Sequence, residues 1–285
     1  MSAIINFFKN RHLERIDYAD LYAYFDEMPN CEVTADDEQV TMIYHDEQFD
    51  FSYPFYITKR SRVNSIYNIS AQYVNIRFLV EIPEILPEPV SRQVLSVVDS
   101  ICRKFDLVVY YEGASDAEEF DMIKMMNYLN SIRRAYIENN ENCEYYTLPR
   151  ETISHLTNYH QVIPFLKEKI QEDVIMPKYR IFGKEPKNDA YLVIDWKIGT
   201  QILLPPNLDY INIIDEYEEK LLPINIFLKH TERYMYELKN YLPDTQLLLL
   251  INKGVKKAAG KMRRFKKHFV ENDFKEIKIY NLIEK

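Results

Sequence analysis

The stretch QYVNIRFLVEIPEILPEPVSRQVLSVVDSICRKFDLVVYYEG, residues 72–113, changes its apolar period twice. Residues 72–83 read as a strand, which the prolines of ILPEP bring to an end. Val90, Val94, Leu95, Val97, Val98, Ile101 and Phe105 then recur at helical spacing, so they share one buried face of a helix. DLVVYYEG returns to the strand pattern. A strand, a helix and a strand in so short a stretch imply a right-handed crossover and a parallel pair. The fold class that follows is α/β or α+β.

Upstream, residues 2–28 read as one or two short helices, with Asp17 as an N-cap and Tyr18, Leu21, Tyr22 and Phe25 on one face. From Cys31 the period becomes two, and QVTMIYHDEQFDFSYPFYI predicts an antiparallel hairpin that turns at HDEQ. Downstream, SDAEEFDMIKMMNYLNSIRRAYIENN predicts a helix over 116–138. Ser115 is its expected N-cap, with acids in the first turn and arginines late, as the helix dipole favours. The polar ENNENCEYYTLPRET, residues 138–152, then divides the chain into an N-terminal α+β domain, 1–145, and a C-terminal mixed α/β domain, 146–285. Each domain is expected to hold a mixed β-sheet with packed helices and to end in a strand–helix–strand unit.

In the second half, QVIPFLKEKIQED predicts a helix over 160–172. KYRIFGKEPKNDAYLVIDWKIGTQILLPPNLDYINIID predicts a meander of short strands, broken at GKEPKND, at Gly199 and at Pro205-Pro206. Pro223 is expected to open a helix reaching Leu242, on the spacing of Phe227, Leu228, Thr231, Tyr234, Met235, Leu238, Tyr241 and Leu242. TQLLLLIN is a short continuous apolar run, the pattern of a strand buried on both faces. A basic helix follows it, and FKEIKIYNLI closes the chain as a strand.

Composition bounds the function. The chain of 285 residues can bury a sizeable core without cross-links. Five glycines leave little from which to build a dinucleotide-binding loop. Cys31, Cys102 and Cys143 stand far apart with no CxxC pair, which points to a reducing compartment. No apolar run approaches the roughly 18 residues of a membrane span, and charge soon interrupts the N-terminal apolar stretch. A soluble cytoplasmic protein without membrane insertion is expected.

Net charge is −8, but it is unevenly placed. Lys253, Lys256, Lys257, Lys261, Arg263, Arg264, Lys266 and Lys267 crowd into residues 253–268 with no acid among them. Setting those eight apart from the 36 basic residues leaves 28 against 44 acidic ones elsewhere. Val255, Ala258, Ala259, Met262, Phe265, Phe269 and Val270 recur at helical spacing between the cations, so the segment reads as an amphipathic helix packed on a sheet. Ala258, Ala259 and Gly260 would let it approach closely. As a phosphate loop it fails on spacing: five residues separate Gly254 from Gly260 where that loop has four, and Met262 stands where a hydroxyl should. Like charges at this density repel, which favours a partner of opposite sign.

One enzyme-like pattern remains. LVIDWKIG, residues 192–199, puts Asp195 and Lys197 on one side of a strand. Over this tripeptide alone it is similar to metal-dependent nucleases of the PD-(D/E)xK type, in which acids hold magnesium and a lysine steadies the attacking water. Asp173 or Asp189 would be the upstream acid. His155 and His160, near Cys143, lack a zinc-site spacing, and no nucleophile–histidine motif stands out. No cofactor and no resident metal are therefore expected. The leading expectation is a non-catalytic binding or adaptor protein whose basic helix meets an acidic protein surface. The alternatives are a magnesium-dependent nuclease using Asp195 and Lys197, and a nucleic-acid-binding protein.

Overall fold

The computed structural model describes residues 2–47, 49–63, 66, 69–140, 144–170, 173–185, 188–216, 218–242, 245–265 and 274–285. The chain is mixed α/β, and it divides into two compact units, Met1–Glu144 and Tyr145–Lys285.

In the first unit the elements are β1 (Ser2–Asn10), α1 (Tyr18–Asp26), β2 (Cys31–Ala35), β3 (Gln39–Asp46), β4 (Phe51–Thr58), β5 (Tyr73–Pro83), α2 (Glu88–Phe105), β6 (Leu107–Tyr111) and α3 (Met122–Asn139). The strands form one sheet in the order β2-β3-β4-β5-β1-β6. Residues 2–10 are thus a strand and not the helix their sequence suggested. Ala3, Ile5, Phe7 and Phe8 are all buried, and an apolar run buried on both faces has no period that separates strand from helix. This strand also revises the crossover. β5 and β6 point the same way, yet each pairs antiparallel with β1, which lies between them.

Asp17 caps α1 as predicted, its side chain accepting from the Ala19 N–H at 2.8 Å. The helix lays Leu21 and Phe25 into the sheet, where the Phe25 ring lies 5.0 Å from Phe55 and 5.9 Å from Phe78. Phe7 stacks on Phe78 at 4.4 Å. α3 starts later than predicted, and its N-cap is Asp121 rather than Ser115. The residues ahead of it pair back onto β6, with backbone bonds between Val109 and Glu118 in both directions, which withholds them from the helix.

The second unit contains β7 (Tyr146–Leu148), α4 (Arg150–Lys169), β8 (Val174–Ile175), β9 (Arg180–Lys184), β10 (Asp189–Lys197), β11 (Gln201–Leu204), β12 (Tyr210–Ile214), β13 (Glu219–Pro223), α5 (Ile224–Thr231), β14 (Tyr236–Leu242), β15 (Thr245–Leu250), α6 (Asn252–Arg263), β16 (Phe274–Ile277) and β17 (Leu282–Glu284). The helix predicted over 160–172 is the later half of α4. Its earlier half carries Ile153, Leu156 and Tyr159 inward directly after Pro149.

Of the predicted meander only the antiparallel β9–β10 hairpin forms. β10 and β12 are parallel neighbours, while β11 between them crosses to a second sheet, order β14-β15-β11-β8. Ile202, Leu203 and Leu204 are all buried, so β11 needs cover on both faces, which the middle of that second sheet supplies. The helix predicted from Pro223 to Leu242 stops at Thr231, whose hydroxyl donates to Phe227 O at 2.7 Å. Residues 236–242 instead form β14, which completes the ladder on one side of β15.

β15 is buried on both faces, as its leucine run predicted. Leu247 and Leu249 pack with Tyr159 and Leu166 of α4, while Leu248 and Leu250 face the cluster around Trp196, Phe227 and Met262. That cluster joins the inner face of β10 and β12 to α5 and α6. It is where α6 gains most of its stability, since an isolated helix of this length is marginal in water.

Candidate functional site

α6 follows β15 directly. Val255, Ala258, Ala259 and Met262 are buried, and Phe265 packs beside them. Gly254 makes the close approach: a Cβ there would lie 2.3 Å from the backbone carbonyl oxygen of Tyr234. Gly260, given that role from sequence, faces open space. The strand–turn–helix context therefore serves packing, with Gly254 held against a turn rather than open to a phosphate.

The other side of α6 is cationic. Lys253, Lys256, Lys257, Lys261, Arg263 and Arg264 are all exposed. Two of them have internal partners. Arg263 Nε lies 3.2 Å from Asp215 Oδ2, and this guanidinium is the first cause holding the Asp215 carboxyl below its usual range. Lys257 Nζ sits 5.7 Å from the centroid of the Tyr234 ring. Among the described residues, Lys253, Lys256, Lys261 and Arg264 have no carboxylate within the 4.0 Å of an ion pair. Lys266 and Lys267, with Phe269 and Val270, lie outside the described residues.

The helix gains from this charge only at its C-terminal end, where Lys261 and Arg263 stand in the last turn. It has no side-chain N-cap bond and no acid in its first turn, and Lys253 stands there against the positive end of the helix dipole. Lys253, Lys257 and Lys261 succeed one another at four-residue steps, and each such like-charge pair costs a few tenths of a kcal/mol.

Asp195 and Lys197 lie two apart on β10, as read from sequence, but their settings differ. Lys197 is exposed at the strand end. Asp195 sits within a network the sequence did not reveal. Arg180 Nη1 donates to both Asp195 oxygens, at 3.1 and 3.2 Å, while its Nε and Nη2 donate to Glu276 at 3.0 and 2.7 Å. Asn212 Nδ2 donates to Asp195 Oδ1 at 2.9 Å and reaches Glu219 at 3.5 Å. These partners come from β9, β12, β13 and β16, whose outward positions adjoin Asp195 once the strands are aligned. Glu276 first, and then Asp195, hold the Arg180 guanidinium firmly protonated. A divalent ion at Asp195 would have to displace that guanidinium.

The two proposed upstream acids lie elsewhere. Asp189 pairs with Lys285 at 2.6 Å, and Asp173 accepts from the Gln201 side chain. Among the described residues, no three His, Cys, Asp or Glu side chains gather as a metal site. His155 contacts Asn207, whereas His160 is buried beside Tyr159 and Tyr179, and Cys143 lies outside the described residues. No described helix is long and apolar enough to cross a membrane. Comparison with protein-family models, with curated proteins and with solved structures yields no match.

Proposed function

We propose that the protein is a non-catalytic binding or adaptor protein that engages an acidic protein surface through the outer face of α6. The observation that supports this most directly is the set of four exposed cations, Lys253, Lys256, Lys261 and Arg264, with no internal counter-charge. Their mutual repulsion and the opposing dipole at Lys253 are relieved when a carboxylate-rich surface docks. The apolar side of the helix is committed to the Trp196 cluster, so recognition by this face is electrostatic and weakens with salt.

The test is a triple reversal, Lys256→Glu, Lys261→Glu and Arg264→Glu, which leaves the Arg263–Asp215 pair in place. We expect the variant to melt as the wild type does and to lose a protein partner that wild type captures from its own cells. Equal recovery of that partner would remove the reading. Recovery that disappears after nuclease treatment would assign the same face to nucleic acid instead.

A further inference from the structure

The first unit holds a cavity of about 480 Å³ where β1 runs out into the connection to α1. This is within the range of sites for small organic molecules. β1 and β5 line it through the cross-strand pair Lys9 and Val74, the connection through Arg11, Leu13 and Arg15, and α1 through Tyr18.

The charge of the lining has one sign. Among the described residues, Lys9, Arg11, Arg15 and Arg77 line the cavity and no carboxylate does. Lys9 is already committed, since it donates to Phe105 O at 2.5 Å and lies 3.8 Å from Asp106. Arg11 and Arg15 are exposed, and among the described residues their guanidiniums make no ion pair and no hydrogen bond. Arg77 directs one N–H to Lys59 O at 2.8 Å and, among the described residues, meets no carboxylate. Neither acid of the connection, Glu14 or Asp17, lines the cavity, and Asp17 is occupied as the cap of α1. Three guanidiniums therefore stand at one cavity without a counter-ion.

β5 bulges at Arg77. Phe7 pairs with Phe78 and Phe8 with Asn75, so Ile76 and Arg77 have no partner on β1. Arg77 is left-handed, with φ 54°, a conformation that glycine or asparagine adopts far more readily than arginine. The Asn75 carboxamide oxygen accepts from the Arg77 N–H at 2.5 Å, and the Tyr18 hydroxyl donates to Ile76 O at 2.8 Å, which holds the bulge in place. A strained cation is thus kept at a position where the backbone alone would favour glycine, and such strain gathers at binding sites. Leu13, Tyr18 and Val74 add exposed apolar surface at the same place. Guanidiniums recognise phosphate bidentately, and three of them suit a dianion better than a single negative charge.

We propose that this cavity binds a phosphate monoester carried on a small apolar or aromatic body. Arg11, Arg15 and Arg77 meet the phosphate, and Leu13, Tyr18 and Val74 meet the body. This rests on nothing in α6 and stands apart from the partner-binding reading.

Calorimetric titration of the full chain with phenyl phosphate in a phosphate-free buffer tests it, beside benzoate, which carries one negative charge, and benzylamine, which carries a positive one. Saturable binding of phenyl phosphate is expected, about tenfold tighter than benzoate, with none of benzylamine. Arg11→Gln combined with Arg15→Gln removes two exposed groups without internal partners and should weaken phenyl phosphate at least about tenfold. Arg77→Gly should also weaken it about tenfold while melting no lower than wild type, because glycine relieves the left-handed position. Vesicles containing phosphatidic acid, beside vesicles of phosphatidylcholine alone, distinguish the source of the phosphate. Cosedimentation that phenyl phosphate competes away assigns a lipid headgroup, and a protein left in solution assigns a soluble ester. Absence of saturable phenyl phosphate binding, equal binding of benzylamine, or an unchanged affinity in the Arg11 and Arg15 double variant would overturn the proposal.

Discussion

His160 is buried in α4 with the Tyr159 and Tyr179 rings 5.9 and 5.8 Å away. Burial, and then the charge of Lys178, push its pKa from 6.5 down to about 4. The folded state thus refuses a proton that the unfolded chain accepts between these two values. Stability is intact above pH 6.5 and drains as pH falls toward 4, by up to about 3 kcal/mol. Urea unfolding across that window should show a steeper loss in wild type than in His160→Leu, and parallel curves would clear His160 of the effect. In the sequence this histidine is one of six, and nothing in its neighbours tells a core position from a ligand.

At the scale of elements, α6 shows how much an apolar period can carry. The buried positions Val255, Ala258, Ala259 and Met262 are those the spacing selected. The spacing did not distinguish the two glycines. Gly254 abuts the Tyr234 carbonyl, whereas Gly260 lies open on the outer side. Gly254→Ala should therefore destabilise by roughly 2 kcal/mol, because backbone atoms must move to admit the methyl group. Gly260→Ala should instead stabilise by about 0.5–1 kcal/mol, through helix propensity. Thermal melts of the two variants should shift in opposite directions. Shifts of the same sign would mean that α6 packs otherwise than described.

For the whole molecule, the two units give a direct expectation. The first has one sheet and the second has two, and each has its own buried aromatic cluster, Phe7, Phe25, Phe55 and Phe78 in the first, Trp196 and Phe227 in the second. Fragments 1–144 and 145–285 should each melt cooperatively when expressed alone. The second should keep capture through α6. A fragment without a cooperative transition would show that its unit depends on the rest of the chain.

The sequence by itself determined the faces of α2 and α6, the double burial of β15, the cap at Asp17 and the crowding of charge near residue 260. Each of these is set by burial or charge along one continuous segment, and period and composition report such local demands directly. Tertiary structure alone decided that β1 lies between β5 and β6, that β11 leaves its neighbours for a second sheet, and that residues 236–242 pair with β15 rather than continue a helix. It also decided the surroundings of Asp195, where Arg180 meets Glu276 across 96 positions of chain. Strand partners and polar clusters follow from which distant surfaces need cover, and a local pattern carries no record of that choice.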